Sequence, residues 1–162
     1  MAEVDYFLKI DGIQGESTSQ KHKGEMDILA WNWSEKLLDG HTGGSGAGAG
    51  KVQVGPFHAV ARSSIASPKL FLACASGQHI QKAVLTVARQ VKGKAQDYLV
   101  WTLSDVLVTS FQTGAEDQDA LPTDAFDLDF SKIEVEYKPI KADGSLGASV
   151  KAGWDVKTNK AA

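Results

Sequence analysis

The sequence predicts a single, mostly β domain, because apolar residues recur at every second position through most of its 162 residues. In segment 132–138, Ile133, Val135 and Tyr137 alternate with four charged residues, as in an antiparallel strand with one solvated face. Turn residues separate such segments, for example at Gly93. A chain of this length buries roughly 70% of its unfolded surface, so its core requires neither a metal ion nor a disulfide. Cys74 is the single cysteine.

The strands follow one another along the chain with few interruptions. The first begins near residue 4, where Val4, Tyr6, Leu8 and Ile10 alternate with charged neighbours, with Phe7 as the exception. Further strands are predicted at about 23–33, 51–60, 79–91, 96–111, 126–130, 132–138 and 149–157. The apolar residues occupy even positions up to Phe130 and odd positions from Ile133. This change of parity predicts a bulge or a break between residues 130 and 133.

One helix is predicted over residues 67–76. Ser67 is expected to provide the N-cap hydroxyl, Pro68 the first helical position and Gly77 the C′ glycine. Residues 70–75 are apolar on every side, which is unusual for a short surface helix. We expect one face to cover the sheet and the other to be covered by a neighbouring subunit.

Two long loops are predicted, at about 35–50 and 114–123. The first ends in a glycine-rich run over 43–50, but its spacing does not match a P-loop. Counting back from Lys51, the first glycine of that motif falls on Ser45, and Val52 follows the lysine. Ala47 occupies the second glycine position of a nucleophile elbow around Ser45.

No other catalytic or metal-binding pattern is present in the sequence. Cys74 lies inside an apolar helix, and no third group is evident to orient His79 as its base. The four histidines, His22, His41, His58 and His79, lack the spacing of a zinc site. We therefore predict a protein that is not an enzyme, with no cofactor and no metal.

Charge and hydropathy also limit the partners. The net charge of −3 is small and both signs are spread along the chain, which argues against nucleic acid. No apolar run approaches the roughly 20 residues needed to cross a bilayer, so no membrane insertion is expected. The N-terminus alternates as a strand does and shows no signal peptide. We expect synthesis in the cytoplasm and secretion, if it occurs, by a route that accepts the folded protein.

A set of segments in a fixed order resembles one known family. They are 7–13, 15–17, 23–25, 28–33, the glycine loop running into 50–52, 67–70, 73–77, 98–99, 103–108, 130–137 and 153–156. In these segments the chain resembles the Hcp family, the haemolysin-coregulated proteins that form the inner tube of the bacterial type VI secretion system. Segments 57–62 and 88–94 depart from the family pattern.

The resemblance implies a compact antiparallel β-barrel of two packed sheets with one flanking α-helix. It further implies that six copies form a hexameric ring, that rings stack into a tube, and that the tube is expelled into target cells. The partners implied are further copies of the chain, the sheath, spike and baseplate components of the secretion system, and small effector proteins carried in the lumen.

The resemblance also suggests candidate contact residues. Asn32, between two tryptophans, corresponds to a position that faces the channel in relatives. Met26, Ile28 and Ala30 share its parity, so the alternation does not decide which face of this strand lines the channel. The loop residues predicted to contact other subunits or rings are Gly43, Gly44, Ser45, Gly46, Gly48 and Gly50. The residues predicted to form an inter-subunit helix are Leu70, Phe71 and Leu72.

Two other interpretations stay open at this point. The same ring could act as an effector-binding chaperone that does not polymerise. From the strand pattern alone, the chain could also be a monomeric barrel that binds a small molecule, as lipocalins do. The mass of the native particle separates these possibilities.

Overall fold

The computed structural model describes residues 3–38 and 51–162. The described part contains one helix, α1 (Ser67–Ser76), within an otherwise β structure. Its strands are β1 (Val4–Ile10), β2 (Met26–Asn32), β3 (Glu35–Leu37), β4 (Val52–Val54), β5 (Phe57–Arg62), β6 (Ile80–Val91), β7 (Lys94–Gly114), β8 (Thr123–Asp129), β9 (Lys132–Tyr137), β10 (Val150–Asp155) and β11 (Lys160–Ala161).

Six strands close into an antiparallel barrel. The main sheet has the order β11-β10-β9-β7-β6-β1-β2-β5-β8, and an additional pairing of β7 with β8 joins its ends into a cylinder. The barrel therefore consists of β7, β6, β1, β2, β5 and β8. Its interior is filled by apolar side chains from every barrel strand, with Phe57, Phe126 and Leu85 among the largest.

The 21-residue strand β7 belongs to two parts of the molecule. Its first half pairs with β6 on one edge and with β9 on the other, while its second half pairs with β8. Strands β9, β10 and β11 thus form a wing that extends the sheet beyond the barrel. The predicted break between residues 130 and 133 is confirmed, because β8 ends at Asp129 and β9 begins at Lys132.

Asp105 occupies the corner where β7 changes partner from β9 to β8. Its φ of 53° lies in the left-handed region, which aspartate tolerates better than most residues. Its carboxylate accepts hydrogen bonds from Ser131 Oγ at 2.8 Å and from His79 Nε2 at 2.9 Å. The bond from Ser131, followed by that from His79, lowers the pKa of Asp105 below its ordinary value. The folded structure thus favours the ionised form of Asp105, whose hydrogen bonds hold the corner.

The segment predicted as one strand over 51–60 forms two strands. Gly55 and Pro56 separate β4 from β5. Strand β4 pairs only with β3, in a two-stranded hairpin outside the barrel, whereas β5 lies in the barrel between β2 and β8. The prediction missed this break because both halves alternate with the same period.

Helix α1 forms where predicted, but its N-terminus differs from the prediction. The N-cap is Ala66, and Ser67 is already helical. The Ser67 hydroxyl instead donates to Asp124, a carboxylate with 1% exposure on β8. Gly77 ends the helix in the left-handed conformation, with φ 64°, as predicted.

Candidate functional site

Asn32 lies at the end of β2 with its side chain exposed. A register shift between Ile28 and Ala30 makes Leu29 the extra residue of a bulge. Met26 and Ile28 are therefore buried, whereas Ala30 and Asn32 beyond the bulge are exposed on the outer side of the barrel. The sequence did not decide which face of β2 is buried, because a bulge reverses the parity of every residue after it.

A polar row crosses four strands at the level of Asn32. Asn32 pairs with His58 on β5, His58 pairs with Asp127 on β8, and Asp127 pairs with Ser110 on β7. His58 Nδ1 lies 2.7 Å from Asp127 Oδ1, and because an ionised carboxylate only accepts, the imidazole donates. Sequence spacing gave no sign of this pair, whose members are 69 positions apart.

The order of side chains in the polar row differs from that of a hydrolase triad. Such a triad places the imidazole between the nucleophile and the carboxylate. Here the carboxylate of Asp127 stands between His58 and Ser110 in the strand order. The polar row is therefore a set of hydrogen-bonding groups on the outward-facing side of the sheet.

The three predicted contact residues of α1 divide into two groups. Leu70 is fully buried in the barrel's own core, so the prediction that it contacts another subunit is wrong. It lies on the inner side of the helix together with Ala73. Phe71 and Leu72 are 60% and 55% exposed, and Phe71 packs edge-on against Phe111 of β7. An outward apolar surface thus exists on α1, and its role as a subunit contact stays a prediction.

The predicted loop contacts at Gly43, Gly44, Ser45, Gly46, Gly48 and Gly50 lie outside the described residues. His41 does as well.

A groove opens between the β3–β4 hairpin and the wing. It has a volume of about 600 Å³ and is lined mainly by apolar side chains. We call it the tryptophan groove; its lining residues are Trp33, Glu35, Leu37, Val52, Trp101, Ile133, Val135, Ala152, Gly153 and Trp154. Trp33 is held by a hydrogen bond of 2.9 Å from its Nε1 to the Gly55 carbonyl. The sequence did not reveal the groove, because its walls come from strands far apart in the chain.

His22 is the most buried histidine of the described residues and ties the β1–β2 connection to β7. Its ring stacks on Phe7 with centroids 4.4 Å apart. Nδ1 lies 2.8 Å from Glu25 Oε2, and Nε2 lies 3.0 Å from Asp97 Oδ2. With a carboxylate at each nitrogen and an aromatic ring on its face, His22 acts as a structural tie.

The outer face of the wing is charged. Lys151 Nζ on β10 lies 2.8 Å from Glu136 Oε2 on β9. This hydrogen bond lowers the pKa of Glu136 and raises the pKa of Lys151.

In residues 3–38 and 51–162, no group of three or more His, Cys, Asp or Glu side chains is arranged to hold a metal ion. The helix of that part of the chain, with ten residues, does not have the length of an apolar membrane span.

Comparison with known proteins identifies the family. The family model described as "Type VI secretion system effector, Hcp" matches residues 7–137. The chain belongs to the Hcp family. Protein hcp1 of Pseudomonas aeruginosa is 39% identical over 158 residues, which cover 96% of this chain and 97% of that protein.

Solved Hcp structures share the fold. Hcp1 from Salmonella typhimurium is 34% identical, with a TM-score of 0.78 and full coverage of both chains. A structure described as a type six secretion system protein aligns with a TM-score of 0.91 at 26% identity, covering 99% of this chain and all of the other. The predicted Hcp fold, an antiparallel barrel with one flanking helix, and the predicted role in type VI secretion are confirmed.

Proposed function

We propose that this chain is the repeating subunit of a type VI secretion inner tube, in which residues 1–162 form one domain and six copies close into a ring. The observation that carries the proposal is the Hcp match over residues 7–137. The adjacent exposed side chains of Phe71 and Leu72 support it, since contiguous apolar surface, unlike a single exposed apolar residue, is typical of surfaces that a partner covers. Rings then stack into a tube that is expelled into target cells.

The proposed partners follow from that role. They are other copies of the chain, the sheath, spike and baseplate components of the secretion system, and small effector proteins in the lumen. The protein is proposed to be made in the cytoplasm and exported in folded form, without a cleaved signal peptide.

Light scattering on the native protein tests the ring. The expected mass is six times the 17.3 kDa of the chain, with longer stacks appearing as the concentration rises. Rings that never stack favour an effector-binding chaperone of the same shape. A monomer at every concentration contradicts the proposal.

The polar row of Asn32, His58, Asp127 and Ser110 is the proposed lining of the channel. The outward-facing side of β2, β5 and β8, on which Asn32 is exposed and His58 and Asp127 are half-buried, supports this placement. Small side chains such as Ala30 and Ala125 flank the row and leave its polar groups accessible. An effector surface rich in hydrogen-bonding groups fits such a face better than an apolar one.

Substitution of Asn32 tests this lining. Asn32→Arg is expected to leave rings intact, because the side chain is exposed, and to reduce co-purification of an effector encoded with the protein. His58→Ala is expected to act in the same direction. Gln118→Arg, on an exposed loop, is the matched control and is expected to have no effect. Unchanged effector retention by Asn32→Arg rings contradicts the lumen assignment.

The glycine loop over residues 43–50 is proposed to contact a neighbouring subunit or ring. Shortening it is expected to weaken stacking while the monomer stays folded, as seen by sedimentation velocity and circular dichroism. An unchanged sedimentation profile gives the loop some other role.

A further inference from the structure

We propose that the exposed face of α1 docks into the tryptophan groove of a neighbouring copy, head to tail. The helix face is defined as Lys69, Phe71 and Leu72. The inference rests on the proposed ring and names the two surfaces that build it. It concerns a groove whose lining was not among the predicted contact residues.

The tryptophan groove has the properties of a receptor for apolar side chains. Its walls carry three indole rings together with Leu37, Val52, Val135 and Ala152, and its volume of about 600 Å³ admits two large side chains. Aromatic walls of this kind dominate the buried centres of protein interfaces. The exposed Glu35 is the acidic residue of the lining, at the end nearest the hairpin.

The helix face has the complementary properties. Phe71 and Leu72 project from the barrel with more than half of each side chain in solvent. Lys69 is exposed one turn before Leu72 and so lies beside it on the helix surface. The helix face therefore presents two apolar side chains and one cation, and the groove presents apolar walls and one carboxylate.

The two surfaces lie at opposite ends of the barrel. Phe57, the first residue of β5, contacts the Trp31 and Trp101 rings near the groove. Just past the other end of β5, Ser63 donates to Asp124, which also holds the start of α1. The six residues of β5 span about 20 Å. No copy can therefore place its own helix face in its own groove.

Two different complementary surfaces at opposite ends generate a heterologous contact. Such contacts form rings when the rotation between neighbours closes, as the proposed ring requires. A contact of helix face with helix face would bring two Lys69 side chains together and would stop at a dimer. Charge and shape thus both favour the pairing of helix face with groove.

Two single substitutions separate the surfaces. Leu72→Glu keeps a good helix former and adds a favourable neighbour for Lys69, but places a carboxylate near Glu35 in the groove. Ala152→Glu fills the groove of an otherwise intact chain, since Ala152 is exposed on β10. Leu121→Glu, at an apolar residue in the 115–122 loop that is 67% exposed against 55% for Leu72, is the matched control. Circular dichroism and urea midpoints check that all three fold.

A mixing experiment then identifies the pairing. Each variant alone is expected to lose at least tenfold in ring content by native mass spectrometry, while Leu121→Glu forms rings like the wild type. In an equimolar mixture, Leu72→Glu supplies an intact groove and Ala152→Glu supplies an intact helix face. They are expected to form a dimer of one copy each and nothing larger.

The outcomes distinguish the pairing from the ring itself. If the wild type forms rings and Leu72→Glu or Ala152→Glu does too, the pairing is wrong and the ring stands. If both variants lose rings but their mixture yields only monomers, the two surfaces do not contact each other and the pairing is overturned. A wild type without rings overturns both proposals.

Discussion

At the residue scale, Asp124 shows how one buried carboxylate joins three parts of the chain. It accepts hydrogen bonds of 2.8 Å from Ser63 Oγ after β5 and from Thr113 Oγ1 on β7, and a third from Ser67 Oγ in α1. A charge with 1% exposure is tolerated because these donors replace water. Asp124 therefore fixes the start of the helix to the barrel.

Removal of the Asp124 carboxylate is expected to destabilise the fold. Asp124→Ala leaves three hydroxyl groups without their acceptor and should lower the free energy of unfolding by at least about 2 kcal/mol. Urea unfolding at fixed protein concentration measures it. The control is Asp129→Ala, on the exposed end of the same strand, where the change should stay within about 0.5 kcal/mol. Equal losses in both variants contradict this role for Asp124.

Asp105 predicts a pH dependence of stability. Its pKa is lowered from the ordinary value of 3.8 by hydrogen bonds from Ser131 and His79. The ionised form is therefore favoured by folding, so its contribution is complete above pH 3.8 and is lost as the pH falls through the lowered pKa. Asp105→Asn keeps a residue that tolerates the left-handed backbone. The difference in Tm between wild type and Asp105→Asn should shrink as the pH falls from about 5 to below 3.8. A difference that is independent of pH over this range contradicts the assignment.

At the scale of elements, the closing glycine of α1 is testable with an internal control. Gly77 has φ 64°, and a Cβ added there meets nothing within 4 Å, so backbone strain is the whole cost of a side chain. Gly77→Ala should lower the free energy of unfolding by about 1 kcal/mol. Gly114→Ala also has open space but no positive φ, and is expected to be neutral or slightly stabilising. Thermal unfolding of both variants makes the comparison; equal effects would show that the left-handed conformation of Gly77 is not what matters.

Alternation in the sequence predicted most strands because it reports which side chains of a strand are buried. It could not report which strand pairs with which. The break at Gly55 and Pro56 was missed because β4 and β5 both alternate with a period of two, although the apolar positions shift from even numbers in β4 to odd numbers in β5. The bulge at Leu29 was missed because Leu29 is as apolar as the buried residues around it, and only the pairing of β2 with β5 shows it as the extra residue.

The candidate sites were less predictable than the strands. An apolar helix indicated a covered second face, but the sequence did not decide that Leu70 points inward and Phe71 outward. The N-cap was misassigned because the helix begins one residue earlier than predicted, and the Ser67 hydroxyl donates to Asp124, 57 residues away, instead of accepting from a backbone N–H of its helix. The tryptophan groove and the pair of His58 and Asp127 depend on contacts between distant strands, which local patterns do not encode.

At the scale of the whole molecule, closure of the barrel depends on distant pairings. Strand β1 pairs with the distant strand β6, from Val4 with Arg89 to Ile10 with Ala83. The pairing of β7 with β8 then closes the barrel. The resemblance to a known family, and not the alternation, predicted this closure. The two ends of the barrel differ, because aromatic side chains are buried at one end and α1 covers the other. A head-to-tail ring requires two such different ends.

The shared strand β7 has a consequence for hydrogen exchange. Its first half has backbone partners on both edges, so amides bonded to β6 are released only when the barrel opens, and amides bonded to β9 only when the wing separates from β7. Strand β11, two residues at the sheet edge, has one partner and opens independently. The first half of β7 should therefore exchange as slowly as the other barrel strands, each of which also has two partners, and report global unfolding. Within the wing, β9 lies outside the barrel but is paired with the barrel strand β7, and its amides should exchange more slowly than those of β11 at the sheet edge.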